Sequence, residues 1–545
     1  MKVPSIEYRS TDVLIIGGGV AGLMAAYQIM LGKDKRVSVL SLGHGSSVGI
    51  SGFNVPFSDG DSIDLFIQDT IVSGHGQGNT ELVTMLAEGA LPIVDYLESL
   101  GFEFDRNADG QFKSRRPIGA SFPRVIGAGN HSGKLIMDIL EKKLLESDSV
   151  DIFRNSRALR ILSDNDQVQG VLSFDIEKKA FICWKTNLVL LAAGGYSRLF
   201  DFSTNPGDIS GNGAAMAYYA GAAMTDMEFV QFEPCVAVYP QKLYGHGIFT
   251  TMMHEGACLV NSKGERFMNQ YGESAERVNK DVLANAVFKE IKEGRGSAHG
   301  GVLFDLRPIG KERFLEYYNS FYKLYLSAGV DPCKDMLEVA PAALTSLGGV
   351  EIDKNCRSSL NGLYACGESA GNCHGANRIG GSAGLEALVF GKLAGENIRK
   401  LHLSETQDKT ESLCSEVFSE LQRDGRALSF EEFDEMKHRL GVILSTSFNL
   451  AREESEMTAA SDEIHEMLKT AKFSGWDDDP LKICERIKII NDITTAWLLT
   501  LCAIERRETR GCHVRTDYPD EAEKAFKSRI VRKNGKPVIT HIPLK

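Results

Sequence analysis

One arginine stands in a glycine-rich stretch of the second half of the chain. The stretch reads CHGANRIGGSAGLEALVFG (373–391), and Arg378 lies just ahead of an apolar helical pattern. A guanidinium presents paired donors in a fixed plane, which suits a carboxylate. We therefore predict that Arg378 grips an anionic group. His374, four residues earlier, either packs beneath the same loop or contacts the substrate directly.

Glycines near the start of the chain predict a dinucleotide. The apolar run VLII (13–16) is followed by Gly17, Gly19 and Gly22 in GxGxxG spacing and then by a helical segment. The first glycine allows a tight turn, the second lets a pyrophosphate approach, and the third packs the helix on the strand. The second strand ends at Ser41 rather than at an acidic residue, so this motif does not by itself separate FAD from NAD.

Two later strand ends extend the predicted cofactor site. The buried pattern LVLLAAGG has Ala193 and Gly194 in its small-residue end, and GLYACGES places Glu368 just after a strand. A long dinucleotide that crosses the edge of the sheet would touch all of these strand ends. Glu368 could hold ribose or ribityl hydroxyls, or it could be a solvated loop carboxylate.

Composition limits the class of protein. A chain of 545 residues predicts two or three domains, and a net charge of −12 disfavours a nucleic-acid partner. No signal-peptide layout and no apolar run of about 20 residues stands out, so we expect a cytoplasmic protein that is not itself transmembrane. Eleven cysteines without CxxC pairs disfavour bound zinc, c-type haem or an iron–sulfur cluster and predict reduced thiols.

The chain resembles the flavoprotein subunits of succinate dehydrogenase and fumarate reductase, together with L-aspartate oxidase. The matching stretches run in family order from residue 12 to residue 519. They are VLIIGGGVAGLMAA, LAAGG, MEFVQF, LVNSKGERFMNQYG, VLFDLR, LGGVEID, GLYACGESAGNCHGANRIGGSAGLEALVFGKLAG and RRETRGCHVRTDYP. The HGANR block and the late ETRGCH-type block are the most specific of them. We therefore expect FAD as the cofactor.

The resemblance implies an α/β fold with three parts. They are an FAD-binding Rossmann-like domain in two segments (1–225 and 346–405), an inserted α+β capping domain (226–345) and a helical C-terminal domain (406–545). The helical part has independent support, because Ser429 and Glu432 have the spacing of a capping box ahead of an apolar helical pattern.

The resemblance also implies where the substrate lies, between the flavin and the cap, with Arg378 as its carboxylate anchor. Three positions depart from the family pattern. Glu233 and Leu344 stand where the family has substrate-binding histidines, and Lys280 stands where it has a proton-donating arginine. An ionised Glu233 would repel the second carboxylate of fumarate. We therefore expect a less anionic and more apolar substrate.

Further site residues follow from the resemblance. Glu255 in MMHEGA matches the glutamate of the family's proton relay, so a route from Glu255 to Lys280 is expected; Lys280 in an ordinary salt bridge is the alternative. Tyr244, His246 and His254 are alternative proton donors.

Cofactor contacts follow in the same way. Ser46 stands where membrane-bound members carry the histidine that links FAD covalently, so we expect noncovalent FAD, although His44 is two residues away. Other expected contacts are Ser132 and Gly133 near the adenine end, and Gly380, Ser382 and Leu385 at the helix that follows HGANR.

These expectations point to an FAD-dependent oxidoreductase. It would transfer hydride between flavin N5 and a carbon next to a carboxylate, by C=C reduction or CH–CH oxidation, on a small carboxylate other than fumarate. One alternative is an amino acid oxidase similar to L-aspartate oxidase. Another is an electron-transfer subunit that works with an iron–sulfur or other partner protein, through which it would sit at the membrane periphery.

Overall fold

The computed structural model describes residues 4–402 and 408–544. Its strands are β1 (Ile6–Ser10), β2 (Val13–Ile16), β3 (Val37–Ser41), β4 (Phe53–Asn54), β5 (Val125–Ile126), β6 (Val150–Arg154), β7 (Ser156–Asp164), β8 (Gln167–Asp175), β9 (Ala180–Lys185), β10 (Val189–Leu191), β11 (Met224–Thr225), β12 (Val230–Tyr239), β13 (Cys258–Val260), β14 (Val302–Asp305), β15 (Leu337–Ser346), β16 (Gly349–Val350), β17 (Leu363–Ala365), β18 (Phe526–Lys533) and β19 (Lys536–Pro543).

The helices complete the architecture. They are α1 (Val20–Met30), α2 (Ile63–Ser73), α3 (Thr80–Ser99), α4 (Ser132–Leu145), α5 (Asn212–Tyr219), α6 (Lys280–Lys292), α7 (Lys311–Ser327), α8 (Ser382–Arg399), α9 (Thr410–Leu421), α10 (Phe430–Ser447), α11 (Glu454–Phe473) and α12 (Pro480–Glu505).

A five-stranded parallel sheet carries the predicted nucleotide-binding segments. Its spatial order is β17-β10-β2-β3-β6. All four residues of β2 are buried, as expected for a strand covered on both faces. Val13 and Ile15 pack in a core with α1, α3, α4 and α8, whereas Leu14 and Ile16 join a core with β7, β8 and the C-terminal helices. The sheet is therefore packed between two apolar cores, one on each face.

A separate antiparallel sheet forms the cap. Its order is β12-β15-β14-β13, and its own apolar core includes residues of α6 and α7. In the chain, this segment lies between β10 and β17, which are neighbours in the parallel sheet. The cap is thus an insertion whose two ends return to the same sheet.

The C-terminal region is mostly helical but ends in a hairpin. The capping box predicted at Ser429 is present, with Ser429 and Glu432 bonded reciprocally at the start of α10. The hairpin of β18 and β19 pairs with β11 and, through it, with β16. The α/β fold with an inserted cap is therefore as predicted, and the hairpin is an addition to the expected helical domain.

Helix α12 is the one helix of the described residues that is long and apolar enough to span a membrane. Within its most apolar window of 18 residues, 78% of the residues are buried inside the protein. Its hydrophobic surface is therefore mostly used in packing against α10, α11 and the neighbouring strands.

Two of the eleven cysteines are bonded to each other. Cys183 of β9 and Cys414 of α9 form a disulfide across 231 residues of sequence. The expectation that all thiols are reduced is therefore wrong for this pair. Counting cysteines could not reveal the pairing, because only the folded chain brings β9 and α9 together.

Candidate functional site

A large cavity joins the glycine loop to the cap. Its volume is about 1320 Å³, and it runs from Gly17 along the parallel sheet to Glu233 and Lys280. Pockets for one small ligand have volumes of about 300–1,000 Å³. This cavity therefore has room for a dinucleotide together with a substrate.

The glycine loop at the end of β2 has the geometry that its motif predicts. Gly17 has a φ of +116°, and a side chain there would meet the Ala192 carbonyl oxygen at 2.1 Å. A Cβ at Gly22 would lie 2.0 Å from the Gly17 oxygen, so α1 packs tightly on the loop. Gly19 lines the cavity at the start of α1. The N–H groups of the first turn are therefore available to an anion.

The later strand ends line the same cavity. Ala193 and Gly194 follow β10, and Glu368 follows β17. The Glu368 carboxylate accepts hydrogen bonds from the backbone N–H of Ser346 at 2.9 Å and from its hydroxyl at 3.3 Å. Burial raises the pKa of Glu368, although these hydrogen bonds oppose that shift. Glu368 is thus a fixed, half-buried acceptor rather than a solvated loop carboxylate.

Arg378 is buried and faces the cavity. Its Nη1 donates to the Ile379 carbonyl oxygen at 3.0 Å, its Nε has no hydrogen-bond partner, and the side chain forms no ion pair with a described carboxylate. Burial lowers the pKa of Arg378, and the more distant charges of Glu233 and Glu368 only partly offset this. A buried guanidinium with unused donors is an arrangement that an anionic ligand would complete.

Glu233 and Lys280 form an ion pair in the wall of the cavity. The Lys280 Nζ lies 2.5 Å from the Glu233 Oε2, and both residues are buried. Glu233 comes from β12 and Lys280 from the first turn of α6. The Glu233 charge that would repel a carboxylate is therefore balanced by Lys280, a pairing that the sequence analysis did not foresee. Glu233 Oε1 has no hydrogen-bond partner among the residues that the structure describes.

The remaining wall at the cap end is largely apolar or aromatic. Leu344 of β15 lines the cavity, as do Tyr244, His246 and Phe321. Burial lowers the pKa of His246, whose Nε2 has no hydrogen-bond partner. Among the alternative proton donors, Tyr244 and His246 reach the cavity, whereas His254 is not part of its lining.

His374 and Glu255, which were expected at the substrate site, lie outside the lining of the cavity. His374 packs beneath its loop, where its Nε2 lies 3.0 Å from the carboxylate of Glu386. Glu255 forms an ion pair with Arg313 of α7 and does not contact Lys280. The structure thus brings together Arg378, Glu233, Lys280 and Leu344, but it gives Glu255 and His374 other partners.

Comparisons with known proteins bear on the family. A family model described as FAD binding domain matches residues 12–383, and one described as fumarate reductase flavoprotein C-term matches residues 437–545. The chain is 31% identical to a fumarate reductase (CoM/CoB) subunit of Methanothermobacter marburgensis, over 97% of this chain and 98% of that protein. It is 30% identical to L-aspartate oxidase of Acinetobacter baylyi, over 95% of each.

The chain belongs to the fumarate reductase and succinate dehydrogenase flavoprotein family. Its cofactor is FAD, and it is an FAD-dependent oxidoreductase; members of this family act on CH–CH or CH–NH bonds. The FrdA chain of E. coli quinol fumarate reductase superposes with a TM-score of 0.91 at 24% identity, covering 99% of this chain and 97% of that one, and this confirms the fold.

The predicted FAD contacts of this family member fall into two groups. Those that line the cavity are Gly17, Gly19, Ser46, Ala193, Gly194, Glu368 and Gly380. Those that support the lining from behind are Gly22, Ser41, Ser132, Gly133, Ser382 and Leu385. For example, the Ser41 hydroxyl donates to the Gly43 carbonyl oxygen at 2.9 Å, and the Ser382 hydroxyl accepts from Asn54 at 3.0 Å.

Sequence reasoning missed several lining residues. The hydroxyl of Ser47 accepts a hydrogen bond from the Val20 N–H at 3.0 Å and so fixes the start of α1. Asn205 accepts a hydrogen bond from the Ser46 hydroxyl and donates to the Leu344 carbonyl oxygen at 2.7 Å. Arg115 also lines the cavity. No local motif marks these residues, because each reaches the site from a different loop.

Proposed function

We propose that this flavoprotein reduces a C=C bond next to a carboxylate, on a substrate other than fumarate. The observation that carries the proposal is the buried guanidinium of Arg378, which faces the cavity and has no carboxylate partner within residues 4–402 and 408–544. Beside it, the cavity wall offers an ammonium group as a proton donor and an apolar side chain. This set supplies one anion anchor and one proton source.

Each residue then has a distinct task. Bound FAD would supply the hydride. Arg378 binds the substrate carboxylate and orients the double bond, and Lys280 donates the proton to the second carbon. Glu233 accepts a hydrogen bond from the Lys280 ammonium and so fixes its position. Leu344, where family members have a histidine, offers only van der Waals contact to the substrate.

The proton route to Lys280 differs from the one expected from the sequence. Glu255 stays a candidate of the sequence analysis, but its carboxylate bonds Arg313 on the cap surface. The Glu233 carboxylate, in contrast, is in direct contact with Lys280. Its Oε2 accepts a hydrogen bond from the Lys280 ammonium, and its Oε1 has no partner among the described residues. We therefore assign resupply of the proton to the Glu233 side of the pair.

Anaerobic reoxidation of the reduced protein tests the function. The purified holoprotein is bleached with dithionite and mixed with unsaturated monocarboxylic acids or with fumarate. We expect the oxidised flavin spectrum to return faster with at least one other acid than with fumarate. If no unsaturated acid reoxidises the flavin, the reductase proposal is wrong.

Variants of Lys280 test the proton donor. Lys280→Met should slow reoxidation by roughly 100-fold or more, as expected for the loss of a general acid, and it should also weaken acid binding, because the Glu233 charge is then no longer balanced. Lys280→Arg, which restores the family's residue type, should retain most of the rate. The matched control is Lys289→Met, which changes an exposed lysine on the same helix. Equal rates for Lys280→Met and wild type would exclude Lys280 as the donor.

A second candidate function is oxidation of an amino acid. The 30% identity to a protein named L-aspartate oxidase favours it, and the free Glu233 Oε1 could accept a hydrogen bond from a substrate ammonium group. In that case, aspartate or another amino acid should bleach the oxidised protein and oxygen should restore its colour. The reductase proposal expects no bleaching by amino acids.

We further propose noncovalent FAD, an external electron-transfer partner and the domain bounds given above. Ser46 cannot form the histidyl link. A relative that is named as one subunit of a fumarate reductase supports a partner protein, such as an iron–sulfur protein, that could hold this chain at a membrane. Acid precipitation should release all of the flavin into the supernatant. Flavin retained in the pellet would instead point to a covalent bond, with His44 in the cavity lining as its site.

A further inference from the structure

One guanidinium in the cavity lining has no acceptor at all. Arg115 lines the same cavity as Arg378, and its guanidinium forms no hydrogen bond or ion pair with any residue that the structure describes. Its guanidinium carbon lies 5.1 Å from the ring centroid of Phe249 in the cap. Burial lowers the pKa of Arg115, and no neighbouring carboxylate fully offsets this.

The other arginines and lysines in the lining each have at least one hydrogen bond or ion pair within the protein. Arg157 pairs with Glu485, Lys280 with Glu233 and Lys488 with Asp492, while Arg198 donates to the Phe200 carbonyl oxygen and Arg378 to that of Ile379. Within the described parts of the chain, Arg115 is therefore the lining cation with the most unused donors. An arginine held in this way is positioned for a ligand rather than for the fold.

The backbone places Arg115 firmly at the substrate end. Its N–H and carbonyl both bond to Val125, at 3.0 and 2.9 Å. Two residues on, Pro117 lies 3.4 Å from the position of a Cβ at Gly380, next to the Arg378 loop. A Cβ at Gly119 would meet the Asn279 side chain, just before Lys280, at 3.1 Å. The segment 115–119 therefore lies between the Arg378 loop and the start of α6, which carry the two groups that the proposed reaction uses.

Apolar side chains surround this position. Ile118, Phe249 and Phe321 line the same cavity, and the Arg115 guanidinium lies over the Phe249 ring. Phe249 and Phe321 pack edge to face, with centroids 4.6 Å apart. A ligand with an anionic group at Arg115 would therefore place an apolar or aromatic segment against these side chains.

We propose that Arg115 is a second anion anchor of the substrate site. The substrate class is an unsaturated acid that carries a second acidic group, separated from the reacting end by an apolar or aromatic segment. Arg378 holds the carboxylate beside the double bond and Arg115 holds the distal acidic group. This inference rests on the proposed function, because it assumes that Arg378 binds the reacting end.

Matched ligand pairs test the second anchor in the holoprotein. Cinnamate is compared with 4-carboxycinnamate, and trans-2-hexenoate with trans-2-hexenedioate, by titrating the change that each causes in the oxidised flavin spectrum. We expect the diacid of at least one pair to bind wild type at least tenfold more tightly than its monoacid. Arg115→Gln should remove that preference, since a hydrogen bond to a charged group contributes about 1.5–3 kcal/mol, or about 10- to 150-fold.

The neighbouring arginine provides the control. Arg116 is exposed, lies outside the cavity lining and donates from Nε to the Ala120 carbonyl oxygen at 3.0 Å. Arg116→Gln should keep the wild-type preference for the diacid, and Arg115→Lys should keep part of it.

Three results would overturn the second anchor. The first is that wild type binds diacids no better than monoacids. The second is that the preference survives Arg115→Gln, and the third is that Arg115→Gln releases FAD from the holoprotein, which would assign the guanidinium to the cofactor. In each of these cases the carboxylate site at Arg378 stands if the monoacids still bind. If wild type binds no member of either pair, the proposed function fails together with the second anchor.

Discussion

Two regions of this flavoprotein each hold a buried arginine, and the partners of these two arginines differ. At the junction of the cap, the FAD-binding part and the C-terminal hairpin, the side chain of Arg506 is fully buried. It contacts the carboxylates of Glu228 at 2.6 Å, Glu508 at 2.6 Å and Asp226 at 3.3 Å. In the cavity, Arg378 is also buried but has no carboxylate within ion-pair distance among the described residues.

The electrostatics of the two regions follow from this difference. Burial opposes the charge of Arg506, but Glu228 and Asp226 outweigh it and raise the pKa of Arg506. For Arg378, burial wins and lowers the pKa. A buried charge without a partner destabilises the fold, so a protein retains it where a ligand supplies the partner. Burial alone therefore does not identify a binding arginine; burial without a carboxylate partner favours one only where the guanidinium also lines a cavity, as Arg378 does.

The largest effect is expected at the junction. Arg506→Gln would leave Glu228 and Asp226 buried without their cation, which should lower the free energy of unfolding by about 3–5 kcal/mol. Urea unfolding followed by circular dichroism measures it. The adjacent Arg507→Gln is the control, because the Arg507 side chain is 61% exposed and its single ion pair is at the surface. If both variants lose the same free energy of unfolding, burial does not decide how much these arginines contribute to stability.

At Arg378 we expect an effect on binding and little loss of stability. Arg378→Gln should raise the Kd of a carboxylate substrate roughly 10- to 100-fold, because the charged hydrogen bonds are lost. The melting temperature should stay the same or rise, since an unpaired buried charge is removed. Flavin titrations and thermal melts provide both numbers. A large fall in the melting temperature would instead show that Arg378, like Arg506, stabilises the fold.

The smallest effect concerns His75, which links the two regions. Its Nε2 lies 3.0 Å from Asp281, next to Lys280, and its Nδ1 lies 2.5 Å from Glu521 near the C-terminal end. Its carbonyl oxygen accepts from Arg510 at 2.7 Å. Burial would lower the pKa of His75, but the two carboxylates outweigh burial and raise it.

The sign of the pH dependence follows from that shift. A raised pKa in the folded state means that protonated His75 contributes stability below its unfolded pKa of about 6.5, and that this contribution is lost as the pH rises through the folded value. The difference in melting temperature between wild type and His75→Gln should therefore be larger at low than at high pH. His438→Gln is the control, and its trend should be smaller, because the contact of His438 with Asp201 at 3.8 Å is exposed to solvent. A difference that does not vary with pH would contradict the link.

Much of this architecture is determined by local sequence. The VLII strand, the glycines at 17, 19 and 22 and the capping box at Ser429 act within a few residues of one another. Their physics needs no distant partner, so the geometry of the glycine loop and the start of α10 were predicted correctly. The HGANR block likewise located Arg378 in the cavity, because the loop and its helix are contiguous in the chain.

Only the tertiary structure decided which charges meet. Glu233 and Lys280 are 47 residues apart, and Arg506 and Glu228 are 278 residues apart, yet both pairs are in contact. The sequence names these residues but not their partners, and it is the partner that determines whether a buried charge is neutralised. For the same reason, nothing in the sequence separates Arg115 from Arg116, whereas the fold places the first in the cavity lining and leaves the second in solvent.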